Sequence, residues 1–189
     1  MSEPAASPTR TIIEAFEAEF RRYRKLAEGA ADQLAWEQLR QALDKETNSI
    51  AVIMKHVGGN LRSRWTDALT TDGEKPWRNR DTEFVDDFAD RAALREAWRA
   101  GWNVLEASLS SFSDADLAKV LTIRGEPHTL VLALTRSVAH VAYHAGQITQ
   151  VARVLASSAG APWKTLTVAR GQSAAFNTQM GFGTGNVKR

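Results

Sequence analysis

Cysteine is absent from all 189 residues. Disulfides, thiolate metal clusters and a cysteine nucleophile are therefore excluded, and a transition metal would have to be held by histidine with carboxylate or amide oxygen. Two common helical metal motifs are missing as well. No Glu-x-x-His pair occurs, which rules out a ferritin-like di-iron centre on this chain. Val141 follows His140, so the HExxH motif with its general-base glutamate is also absent. No apolar run approaches the roughly 20 residues of a membrane span. Neither sign of charge dominates, with 24 Lys and Arg against 22 Asp and Glu, a formal +2. The densest basic cluster, Arg21-Arg22-Tyr23-Arg24-Lys25, falls in an amphipathic helix pattern and reads as a solvated face, so no nucleic-acid partner is expected. The opening MSEPAASPTR is polar and does not read as a signal peptide. A cytoplasmic protein without a membrane partner is the expectation.

What is present is helical periodicity. Residues 1–9 are expected to form a flexible leader. Ile12, Ile13, Phe16, Phe20, Tyr23 and Ala27 then recur at three or four, and the first helix should stop near Gly29. A short connecting helix fits residues 31–43. Thr47-Asn48-Ser49 offers capping hydroxyls and an amide for a second long helix whose apolar face is Ile50, Met54, Val57, Leu61 and Trp65. The run TTDGEKPWRNRD predicts a crossover loop. Thr82 is a candidate cap for a third helix carrying Phe84, Phe88, Leu94, Trp98, Trp102, Leu105 and Leu109. Residues 113–126 read as a connector with one extended segment around Val120–Ile123. The fourth long helix is expected from about Pro127 to Ser157, since proline is favoured at the first helical position. Four amphipathic helices with long connections predict an all-α fold, a four-helix bundle over residues 10–160 in up-down-down-up order. Residues 161–189 are expected to be an irregular tail packed on the bundle or partly mobile.

Two of the four histidines stand within five residues, in AHVAYHAG. On a helix His140 and His144 lie about 40° apart, flanking the apolar stripe around Val141, Ile148 and Ala152. Arg136 and Gln147 share that flank, which describes the wall of a cleft. On the second helix His56 lies beside Asn60 on a comparable flank, followed by Gly58-Gly59. Two helical glycines cost about 1 kcal/mol each, so close helix approach, room for a ligand or a kink should offset them. Imidazoles at i and i+4 can share one ion, and a third from another helix would leave coordination positions open. Hydrogen-bonded or exposed histidines fit the same spacing, and both readings stay open at this point. His128 is expected to cap the fourth helix or lie on the surface. Trp98 and Trp102 read as core. Trp65 and Trp77 are candidates for the cleft mouth, and Arg62, Arg64, Arg78 and Arg80 for receiving a substrate carboxylate, with solvated charge the plainer reading.

The stretches KHVGGN and AHVAYHAGQI, with NSIAVIMKHVGGNLRSRWTDALTTDGEKPWRNRD, TIRGEPHTL and WKTLTVARGQS, resemble the DinB/YfiT-like superfamily of metal-binding four-helix bundles, in an uncharacterised bacterial branch. The resemblance spans most of residues 10–175. It implies an up-down-down-up bundle with a divalent metal at its open end, held by His56, His140 and His144, with zinc or nickel foremost and manganese or iron as alternatives. It further implies a small-molecule substrate, with a low-molecular-weight thiol as cosubstrate in an S-transferase-like reaction, or else hydrolysis. Asn60 and Gln147 would orient water or ligand, no residue is assigned a catalytic role, and a homodimer is compatible. A non-catalytic metal- or ligand-binding bundle is the alternative. With no cysteine in the chain, any thiol would have to arrive with the substrate.

Overall fold

The computed structural model describes residues 11–181, so the leader expected over residues 1–9 lies outside the described residues. Four long helices dominate: α1 (Ile12–Ala31), α3 (Ile50–Trp65), α4 (Arg91–Ser111) and α5 (Leu130–Ser158), with short helices α2 (Trp36–Leu39) and α6 (Ser173–Gln179). Each long helix starts on a side-chain cap that accepts an orphan backbone N–H: Thr11, Ser49, Asp90 and Thr129. Thr11 and Glu14 complete a capping box at the start of α1.

Long-range bonds give the helix directions. Arg91, at the start of α4, donates to the carbonyls of Ala31, the last residue of α1, and Leu34 just past it, each at 2.8 Å. The Asp114 carboxylate, just past α4, accepts from the N–H groups of Ile12 and Ile13. Helices α1 and α4 are therefore antiparallel. Ser108 of α4 donates to the Trp65 carbonyl at the end of α3, and Gly101 lies against Gly58 earlier in both, so α3 and α4 are parallel. His56 meets His140 while Trp65 bonds Ser137, which makes α3 and α5 antiparallel. The order is up-down-down-up, as the sequence predicts.

The core is continuous between the helices. Ile50, Val57, Leu61 and Trp65 of α3 are buried against Leu94, Trp98, Trp102 and Leu105 of α4 and Leu134, Val141 and Ile148 of α5. Phe20 of α1 meets Trp102 edge-on at 6.4 Å. Among the described residues no helix is long and apolar enough to cross a membrane.

The connections differ from the sequence expectation in three places. The third long helix starts at Arg91 on an Asp90 cap, not near Thr82. Residues 81–84 form a separate 3-10 turn, because Phe84 is drawn away to stack on His56 at 4.9 Å. The connector before α5 holds two strands, β1 (Val120–Ile123) and β2 (Glu126–Thr129), paired antiparallel with Ile123 opposite Glu126. Pro127 and His128 thus belong to a strand, and α5 starts at Leu130. The turn between them, Arg124-Gly125, has φ of 57° and 76°, the two positive values that a tight hairpin connection requires. Asp72 holds this turn by accepting from both its N–H groups at 2.8 Å. In the tail, Trp163 and Leu166 lie against the core while α6 is exposed.

Candidate metal centre

The site forms where α3 and α5 face each other. His56 Nε2 and His144 Nε2 each lie 3.1 Å from His140 Nε2, and the three rings offer one nitrogen apiece within 4.8 Å of one another. These histidines sit near the midpoints of α3 and α5 rather than at an end of the bundle. Helix spacing stacks His140 and His144 by one turn. His56 is brought opposite them by the antiparallel run of α3, and it is buried, 5% exposed, where the sequence suggested a flank.

Two of the three rings have their tautomer set from behind. The Glu83 carboxylate can only accept, so His56 Nδ1–H donates to it at 2.8 Å and leaves the Nε2 lone pair facing the cluster. His144 Nδ1–H donates to Gln147 Oε1 at 2.8 Å, and the Gln147 amide in turn donates to the Tyr143 hydroxyl. His140 differs, because its buried Nδ1 has no partner among the described residues. A proton on His140 Nε2 could serve one neighbouring lone pair but not both. A proton on Nδ1 would leave an orphaned N–H and three converging lone pairs. Either way the cluster is short of positive charge, and a buried unpaired polar atom costs about 1–3 kcal/mol. Burial, with the charges of His144 and His56 added, pushes the His140 imidazole down to about 3. Burial also lowers His144, against the opposing hydrogen bond to Gln147. For both rings burial favours the neutral form, the one able to ligate a metal.

The two distances to His140 Nε2 fit neighbouring donors on one metal. Bonds of about 2.0–2.1 Å to three nitrogens, at angles between octahedral and tetrahedral, separate neighbouring donors by about 2.8–3.4 Å. A carboxylate behind a ligating imidazole is the usual outer partner of such a site.

Glu83 is the residue the sequence reading missed. It lies in the crossover, buried, and Arg78 donates to its two oxygens at 2.8 and 2.9 Å. Burial alone would raise its carboxyl, but the hydrogen bonds from His56 and Arg78 and the Arg78 charge hold it below the usual carboxylate range. The glycine pair explains itself here. A Cβ at Gly59 would stand 2.4 Å from Glu83 Oε1, and one at Gly101 2.3 Å from the Gly58 carbonyl oxygen. Gly58 serves close helix approach, while Gly59 makes room for the Glu83 carboxylate rather than for a ligand.

A cavity of about 230 Å³ opens beside His56 and His140. Of the residues singled out from sequence, Asn60, Trp65, Arg64, Arg78 and Arg80 line it, and Gln147 instead holds His144. Trp65 is buried and donates to Ser137. Trp77 is 51% exposed, with Arg62 over its ring at 4.7 Å, and neither lines the cavity. Trp98 and Trp102 are core. His128 neither caps α5 nor lies on the surface: it is buried on β2, outside the cluster, with Nδ1–H donating to the Glu126 carbonyl and Nε2 accepting from Arg136.

By its sequence over residues 8–172 the chain belongs to DUF1572, a protein family of unknown function. Its fold is similar to that of a crystal structure of a conserved protein from Enterococcus faecalis, with a TM-score of 0.59 at 15% identity, covering 79% of this chain and 99% of that one. No curated protein matches.

Proposed function

We propose that this DUF1572 protein holds a divalent metal on His56, His140 and His144, zinc or nickel foremost, as the DinB/YfiT-like bundles it resembles would, and uses it on a small molecule bound in the adjoining cavity. The observation that carries the reading is the convergence of three Nε2 atoms, two with lone pairs aimed inward by Glu83 and Gln147, around the otherwise unsatisfied His140. Three nitrogens leave coordination positions open, which distinguishes reactive from structural sites.

A divalent ion so held would favour the thiolate of a coordinating thiol, polarise a carbonyl or activate water. The chain's own residues weigh between these uses. No acidic side chain lines the cavity among the described residues, and Glu83 is committed to His56 and Arg78. Asn60 does not titrate at neutral pH and can only orient a ligand. A metal-bound thiolate needs no protein base once formed, so S-transfer with an external thiol is favoured over hydrolysis.

Elemental analysis of the purified protein after loading with zinc or nickel should find one ion per chain, and none in His144→Ala. Turnover of an electrophile with a thiol, against the same electrophile in water alone, then separates transfer from hydrolysis. Failure to retain zinc, nickel, manganese or iron would overturn the proposal. Stoichiometric metal without either turnover would leave a binding protein.

A further inference from the structure

The cavity beside the histidines gathers positive charge. Arg64, Arg78, Arg80, Arg124 and Arg136 line it, brought from α3, the crossover, the hairpin turn and α5. Two carboxylates answer them: Glu74 pairs with Arg64, Arg78 and Arg124, and Glu83 with Arg78. Five guanidinium groups against two carboxylates leave an excess of three positive charges. Among the described residues neither Arg80 nor Arg136 has a carboxylate partner. Arg80 rests over the Phe84 ring at 4.9 Å, and Arg136 is held from behind by the buried His128. Burial lowers the Arg64 guanidinium, and the Arg78 and Arg124 charges add to this against the Glu74 hydrogen bond, so these cations feel one another.

The contrast within the same molecule is instructive. A larger cavity of about 410 Å³ lies between α1 and α4 and also has arginines, but Glu28 and Asp32 line it and pair with Arg24 and Arg95. That lining has four arginines to two acidic side chains, whereas the cavity at the histidines has five arginines and no acidic side chain among its lining residues. Converging like charges in a concave space repel unless an anion joins them, and they draw anions in. Guanidinium groups match the paired oxygens of carboxylate and phosphate. The volume falls below the roughly 300–1,000 Å³ that holds drug-sized ligands, so the occupant is small.

We propose that this cavity binds a small organic oxyanion, a carboxylate or phosphate, gripped by Arg80, Arg124 and Arg136, with its other end directed to the histidine cluster. The orientation rests on the metal reading, but the grip does not. The test is calorimetric titration of succinate and of methyl phosphate into the full-length protein, metal-free and zinc-loaded. Metal-free wild type should bind at least one probe, which also tells carboxylate from phosphate. Arg80→Gln with Arg136→Gln should weaken binding by about tenfold or more, while Arg99→Gln, at the other cavity, leaves it unchanged. Arg124→Gln, on the exposed hairpin turn, serves if the double variant does not fold. No binding by wild type, or equal losses in Arg99→Gln and the cavity variants, would overturn the grip. Zinc should tighten binding, and an affinity indifferent to bound zinc would overturn the orientation. Failure to load zinc at all, read by elemental analysis, strikes the metal reading and leaves the metal-free titration to decide the grip.

Discussion

Helix α3 meets two neighbours in opposite ways within four residues. Toward α4 it brings Gly58 against Gly101 so closely that a Cβ at Gly101 would stand 2.3 Å from a backbone oxygen. Toward α5 it presents His56, whose Nε2 stops 3.1 Å from that of His140, and beyond it a cavity of about 230 Å³. One seam is closed by backbone contact. The other leaves a buried nitrogen without a partner and arginines in excess. A chain able to close the first seam so tightly could have closed the second with apolar side chains. The second seam is held open by groups that, on the proposed reading, a ligand would satisfy.

The sharpest way to break this comparison is steric. Gly101→Ala should destabilise the fold by about 1–3 kcal/mol, as overpacking does, read from urea unfolding, without changing how many ions the protein holds. Substitutions at the other seam should change metal affinity instead. Glu83→Gln removes the carboxylate behind His56 and should lower metal affinity about 10–100-fold. Gly59→Ala should displace the same carboxylate and lower affinity in step. Some stability should be lost too, since displacing Glu83 disturbs its buried pairing with Arg78 and His56 by more than the about 1 kcal/mol of propensity the helix gains. Competition with a chelator measures both, and unchanged affinity in both would detach Glu83 from the site.

Acid sharpens the contrast further. Because the folded His140 imidazole sits near 3, below its ordinary 6.5, its contribution to stability is complete above about pH 6.5 and is lost as pH falls toward 3. Metal-free protein should therefore weaken between pH 6.5 and 4.5, before the carboxylates titrate. His140→Asn should flatten that part of the profile in unfolding experiments at stepped pH. The smallest effect is expected at Gly146, on α5, where a Cβ would meet nothing within 4 Å. Gly146→Ala should stabilise by about 0.5–1 kcal/mol, with metal affinity unchanged.

Much of this was legible in the sequence because it is local. The apolar stripe of α3 and the i, i+4 spacing of His140 and His144 depend only on helix period, and the cap at Ser49 only on its neighbours. Glu83 was not legible because its role depends on a crossover folding back across 27 residues to reach His56. The one trace it left was Gly59, a glycine where a helix would prefer alanine. His128 was misplaced for a related reason. A proline before it suits a helix start, and only pairing with Val120–Ile123 across Arg124-Gly125 makes that stretch a strand. Non-local pairing overrode the local preference.

Asp72 binds the crossover to the hairpin through the N–H groups of Glu74, Arg124 and Gly125, and those bonds keep its carboxyl down to about 2. The rim above the cavity is thereby stapled by a group that stays ionised well into acid. On the proposed reading, an ion released from the histidines by acid or a chelator should leave the roof over them fastened, and its return should need no refolding.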